Sequence, residues 1–140
     1  MNSSLFHFIN KRTNTTSYIQ QLPGFYYIAV RHRNTVETWT SVTVNCTGST
    51  ALYNFTTAAS KAFADNQVQV GPGVWAFFTG DINQDEYIDG NDFPDYDSDS
   101  YNGVNAEYKA TDMNGDGYVD GNDFPLFDVN SQAGIGVVTP

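Results

Sequence analysis

Cysteine is almost absent from the 140-residue chain. Cys46 is the only one, so an intrachain disulfide and a Cys-based zinc site are both excluded. It sits in the strand-like run SVTVNC and reads as a buried structural thiol rather than a nucleophile. Positive charge is also scarce: six Lys and Arg stand against sixteen Asp and Glu, giving a net charge of −10. That sign argues against nucleic acid as a partner, because phosphates would be repelled. No run approaches the roughly 18 apolar residues that a membrane span needs. The opening MNSSLFHFINKR lacks an apolar segment of signal-peptide type, so no export signal is visible in this chain. His7 and His32 are the only histidines and no G-x-S-x-G nucleophile motif occurs, which argues against an enzyme.

The charge that is present is concentrated in one segment. Residues 1–80 carry Lys11, Arg12, Arg31, Arg33 and Lys61 against Glu37 and Asp65, a balance of +3. Residues 81–140 carry Lys109 against all the remaining acids, a balance of −13. Those acids are spaced rather than blocked, and Tyr87, Ile88, Phe93, Tyr118, Val119, Phe124 and Phe127 lie among them, which a solvated acidic tail does not need. The segment is also written twice. DINQDEYIDGNDFP (81–94) returns 31 positions later as DMNGDGYVDGNDFP (112–125). The correspondence continues past the acidic part, pairing Tyr96 with Phe127, Asp97 with Asp128, and Ser100 with Ser131. Proline directly after NDF suits the first turn of a short helix, where its missing N–H costs nothing.

Ahead of the repeat, the chain reads as β-structure. FYYIAVRH (25–32), TVETWTSVTVNC (35–46), ALYNFTT (51–57) and VWAFFTG (74–80) are rich in β-branched and aromatic residues, with turn formers between them. LFHFI and TSYIQQL are weaker strands, and residues 57–65 are expected to form a short helix capped by Thr56 or Thr57. Trp39 and Trp75, with Tyr26, Tyr27, Phe77 and Phe78, read as core positions rather than a carbohydrate-stacking platform, with one ring of FYY and of AFF left for the surface or a neighbour. The expected fold is mainly β with a small α and loop part: an antiparallel β-sandwich over residues 1–79, then paired loops with short helices over residues 80–140. The stretch LPGFYYIAVRHRN resembles the small prealbumin-like β-sandwiches of secreted bacterial proteins.

Within each repeat, oxygen-bearing side chains fall at loop positions 1, 3, 5, 9 and 12. They are Asp81, Asn83, Asp85, Asp89 and Asp92 in the first loop, and Asp112, Asn114, Asp116, Asp120 and Asp123 in the second. Tyr87 and Tyr118, at position 7, offer a backbone carbonyl. This is the ligand order of an EF-hand-type loop, which supplies hard oxygens to Ca²⁺, and it predicts two bound ions. Clustered carboxylates otherwise repel by roughly 1 kcal/mol or more per close pair. Position 6 favours glycine for its sharp turn; the second loop has Gly117 there and the first has Glu86. The first loop is therefore expected to bind more weakly or turn differently, with Glu86 adding an outer charge. Asp at position 12, shorter than the usual Glu, calls for a tighter loop or a bridging water.

With Ile88 and Val119 before the fourth ligands and a strand-like VWAFFTG in place of an entering helix, these loops resemble dockerins, bacterial extracellular modules built from two tandem calcium loops each followed by one helix. The resemblance covers about 55 of the 140 residues. It implies calcium binding by the residues named above and a secreted or surface location. A dockerin's partner-recognition pair, often hydroxyl residues, is replaced here by Gly90 and Asn91, and by Gly121 and Asn122, which departs from the pattern for binding a cohesin-like partner. The arrangement looks more like the C-terminal regions of secreted bacterial surface proteins. The expectation is a calcium-rigidified structural module in a surface assembly, adhesin or self-assembling fibre, with a dockerin-type recognition module as the alternative. Partners are then other copies of the chain or another surface protein, the former through strand addition by the first 22 residues. Asn2, Asn14, Asn45 and Asn54 head N-x-S/T triplets, possible sites of covalent glycans.

Overall fold

A computed structural model of the chain describes residues 4–10, 15–21, 23–48 and 50–140, the first two ranges as backbone. The strands are β1 (Ser4–Asn10), β2 (Thr15–Gln21), β3 (Phe25–Tyr26), β4 (Ala29–His32), β5 (Thr35–Trp39), β6 (Val44–Asn45), β7 (Val68–Gly71) and β8 (Val74–Ala76). Two helices follow, α1 (Phe93–Tyr101) and α2 (Phe124–Gln132). The result is a small α+β fold; among the described residues the strands pair antiparallel in four two-stranded sheets, β1–β2, β3–β6, β4–β5 and β7–β8. None of the described helices is long and apolar enough to cross a membrane.

The strand expectations survive only in part. Runs 25–32 and 35–46 form one long hairpin that is broken in the middle: Tyr26 faces Val44, but Ala29 faces Trp39, a two-residue slip in register. Thr40 bridges the gap, its amide donating to the Ile28 carbonyl (2.9 Å) while its hydroxyl accepts the Ile28 amide (3.1 Å). Ser41 leaves the ladder because its amide is taken by the Lys61 carbonyl (3.0 Å). The same crossing breaks the helix expected over 57–65. Ala62, buried and extended (φ −90°, ψ 150°), pairs with Thr40, and two single 3₁₀ turns, Ala59–Lys61 and Phe63–Asp65, remain on either side of it. Residues 51–57 carry no strand. Two continuous packed sheets are thus not what these strands build. The first 22 residues supply β1 and β2, which pair with each other over Ser4–Gln21 to Asn10–Thr15. Cys46 is fully buried. Tyr26 and Tyr27 are exposed, whereas Trp39, Trp75, Phe77 and Phe78 are half-buried.

The main apolar core lies in the repeats. Ile82, Ile88, Tyr96, Met113, Val119 and Phe127 are buried together, and Val36 of β5 joins them across the 79/80 boundary. Each helix starts at a Phe-Pro pair, with proline in its first turn as expected. The rings of Phe93, Tyr96, Phe124 and Phe127 form one stack of tilted and edge-on pairs with centroids 5.9–6.2 Å apart.

The repeats brace each other crosswise. In the first loop the Ile88 amide donates to the Ile135 carbonyl (2.8 Å) and the Val137 amide to the Glu86 carbonyl (2.9 Å), so this loop pairs with the segment that follows α2. In the second, the Val119 amide donates to Val104 (2.9 Å) and the Ala106 amide to Gly117 (2.8 Å), so that loop pairs with the segment that follows α1. Each loop therefore completes the other repeat, which relates the two by an approximate two-fold.

Gly80, just before the first loop, shows how tightly this is closed. Its φ is +124°, and a Cβ there would lie 2.8 Å from Ile88 Cγ2 and 3.4 Å from the Phe127 ring. Gly80→Ala combines a disfavoured backbone with overpacking and should cost about 2 kcal/mol or more. Urea unfolding at fixed calcium measures it; an unchanged midpoint would show that the β8–loop junction yields more freely than this geometry implies.

Candidate metal centres

Both acidic segments fold into the same backbone pattern. The side chain at position 12 closes each loop on itself. The Ile82 and Asn83 amides donate to Asp92 Oδ1 (2.6 and 3.0 Å), and the Asp89 amide donates to Oδ2 (3.0 Å). In the second loop the Met113 and Asn114 amides reach Asp123 Oδ1 (2.7 and 2.9 Å) and the Asp120 amide reaches Oδ2 (3.0 Å). Both aspartates are fully buried. This answers the short arm at position 12: the loop tightens until one carboxylate holds both of its ends.

The middle positions are set by short-range turns. Asn83 Oδ1 accepts the Asp85 amide (2.8 Å), Asp85 Oδ1 accepts the Tyr87 amide (3.1 Å), and Asp89 Oδ1 accepts the Asn91 amide (2.7 Å). Asn114, Asp116 and Asp120 repeat these bonds to the Asp116, Tyr118 and Asn122 amides at 2.8, 2.9 and 2.8 Å. Asn and Asp favour this because their side chains bond amides two residues on. All twelve residues predicted from the spacing thus lie in two loops of one design, with Tyr87 and Tyr118 themselves exposed. Among the described residues, no three His, Cys, Asp or Glu side chains converge into a preformed metal cage. Asp92 and Asp123, and Asp112 in the second loop, turn both oxygens to amides, while position 3 is an amide side chain and position 7 offers only its carbonyl.

The two loops differ in their first carboxylate. Asp112 is satisfied, with the Gly115 amide on Oδ1 (2.8 Å) and the Gly117 amide on Oδ2 (3.1 Å). Asp81 is 1 % exposed, and its Oδ1 is buried without a hydrogen-bond partner. Burial, reinforced by the neighbouring Asp92 and Asp85 charges, pushes its pKa up to about 6, against the pull of the Asp85 and Gln84 amides. A buried carboxylate in this state calls for a proton or a cation to share its charge.

Residues outside the repeats complete both loops, and the spacing of the acids gave no sign of them. The β4–β5 hairpin carries Arg31, Arg33 and Asn34. Glu86, expected to add an outer charge, is instead ion-paired with Arg31, which also pairs with Glu37 (3.1 Å), and it accepts the Glu37 amide (3.3 Å). Glu86 adopts φ +77° where glycine was expected, and Gln84 adopts +62°. Asn34, 2 % exposed, donates to the Ala110 and Asp112 carbonyls (3.0 and 3.2 Å), and its own carbonyl accepts the Gly80 amide (2.7 Å). It therefore touches the head of both loops. A faint signal existed in VRHRN, where scarce positive charge clusters at a turn.

The chain matches no model of a protein family, no curated protein and no solved structure.

Proposed function

We propose that the chain is a non-enzymatic extracellular calcium-binding module of the dockerin-like class, in which two Ca²⁺ ions rigidify the paired loops for a structural role in a surface assembly, adhesin or fibre. The observation that carries this reading is the buried, unpartnered Oδ1 of Asp81 at the head of a loop with EF-hand-type ligand order. A hard cation meets that need with charge as well as coordination, and the oxygen-only donor set suits calcium rather than a thiophilic or imidazole-seeking metal. Asp81, Asn83, Asp85, Asp89 and Asp92, with the Tyr87 carbonyl, would hold one ion. Asp112, Asn114, Asp116, Asp120 and Asp123, with the Tyr118 carbonyl, would hold the other.

The bound ion supplies neutralisation of the clustered carboxylates. The chain supplies the rest: Asp92 and Asp123 pin each loop's ends, the crosswise pairing carries that order to the opposite repeat, and the aromatic stack fastens α1 to α2. Calcium at extracellular concentrations fills even sites of submillimolar affinity, so binding is part of the folding free energy. In this reading the β-rich half displays the exposed Phe25, Tyr27, Val42 and Leu52 to neighbouring copies or another surface protein. Of the four N-x-S/T triplets, Asn45 and Asn54 are exposed and remain candidate glycan positions, while Asn2 and Asn14 lie outside the described residues.

Calorimetric titration of chelator-stripped protein with calcium, with light scattering recorded on the same samples, tests the proposal. Two binding events are expected; scattering that rises with them assigns the fibre role, and constant scattering assigns a monomeric clamp within a larger assembly. No heat at millimolar calcium would overturn it.

A further inference from the structure

Loop 1 (81–92) and loop 2 (112–123) share a ligand order but compensate their first carboxylate differently. Asp81 Oδ1 has no partner. Asp112, besides its two amide donors, faces the Arg33 guanidinium, whose Nη2 lies 3.9 Å from Oδ2. Arg33 is firmly held there. Its Nε donates to the Lys109 carbonyl (2.6 Å), Nη2 donates to the Asp112 carbonyl (2.8 Å), and the guanidinium lies over the Tyr108 ring, 4.4 Å from its centroid. On the loop 1 side, Arg31 offers no equivalent, because its charge is already matched by Glu86 and Glu37.

We infer that loop 1 is the tight, obligatory cation site and loop 2 the weaker, exchangeable one, because Arg33 acts as an inbuilt counter-charge to Asp112. This rests on the calcium reading above. A cation entering loop 1 relieves a buried carboxylate that keeps one oxygen unpartnered and has no ion pair among the described residues. A cation entering loop 2 finds its first ligand already stabilised by two amides and meets a fixed positive charge close by, so its net gain is smaller. The order is the reverse of the one that Glu86 at position 6 suggests from sequence. In the fold that residue's left-handed backbone is tied down by Arg31 and by the Val137 amide, so the turn it replaces is already made.

The test is calcium titration of the chelator-stripped full chain at low ionic strength, comparing the parent with four variants. The parent should show two steps of different affinity. Asp85→Asn should abolish the tighter step and Asp116→Asn the weaker. Arg33→Gln should tighten the weaker step about fivefold, the size expected for removing one unit charge roughly 8 Å from a divalent ion, well inside the Debye length at low ionic strength, and leave the tighter step unchanged. Arg33→Lys, which keeps the charge but loses the planar fork, should stay near the parent. Loss of the tighter step in Asp116→Asn, two equal steps in the parent, or loosening of the weaker step by Arg33→Gln and Arg33→Lys alike would overturn the inference and make Arg33 a structural prop. A parent that gives no heat would instead remove the calcium reading itself.

Discussion

Stripping calcium from the protein should lower its stability by about 5 kcal/mol, since each site filled to a hundred times its dissociation constant contributes about 2.7 kcal/mol. For a chain of this size that is a fall of roughly 15–20 °C in melting temperature. On the calcium reading proposed above the effect is large because the cation would do more than fill a pocket. Asp81 is buried with one carboxylate oxygen, Oδ1, unpartnered, and its loop carries Ile82 and Ile88 into the core. Releasing the ion leaves that carboxylate to compete with the packing around it. Circular dichroism melts in calcium and in chelator measure the difference. Asp85→Ala should remove the larger share of the calcium-dependent increment, and Asp116→Ala or Asp112→Ala the smaller. Equal melting temperatures in calcium and in chelator would show that the loops stand without a cation.

The second large effect is expected at Phe127. Its side chain is 4 % exposed and its ring centroid lies 6.2 Å from those of Phe93 and Phe124, while its backbone and ring wall the space beside Gly80. Phe127→Ala should cost about 3–5 kcal/mol through lost burial and the cavity left behind. A whole domain has roughly 5–15 kcal/mol to lose, so this variant sits near the edge of folding. Calcium should bind more weakly at both loops, because α1 and α2 follow directly from Asp92 and Asp123 and the stack holds them together. Tyr101→Ala, at a site 89 % exposed, serves as the control and should stay within about 0.5 kcal/mol of the parent. Phe127→Ala unfolding at the parent's denaturant midpoint would place the core elsewhere.

In the repeat half the sequence showed the doubled unit, the spacing of the oxygen-bearing side chains and the helix starts. The structure adds that those Asn and Asp side chains bond amides two residues on, at the same positions in both loops. Phe-Pro marks the helix starts, and in the structure the aromatics of the two helices pack against one another. The β half was not legible in this way. FYYIAVRH and TVETWTSVTVNC have the composition of uninterrupted strands, yet Ser41 and Ala62 are drawn into bonds with segments about 20 residues apart, and the hairpin slips by two. Strand pairing depends on partners distant in sequence, and composition carries no information about them. The same limitation hid Arg33 and Asn34, whose partners are the carbonyls of Lys109, Ala110 and Asp112, more than 70 residues away.

What the sequence determined by itself is local: which residues bring oxygen-bearing side chains into each loop, where each helix begins, and that the unit occurs twice. Side chain and backbone within a few residues of each other settle those features, and they need no third party. Only the tertiary structure decided that each loop is completed by the tail of the other repeat, that one basic hairpin tip touches the head of both loops, and that of two nearly identical aspartates Asp112 has both oxygens partnered beside a guanidinium while Asp81 keeps one oxygen unpartnered. The physical reason is that the cost of a buried charge is set by whatever the fold brings within a few ångströms of it, and for these two residues the deciding neighbour, Arg33, comes from the far half of the chain.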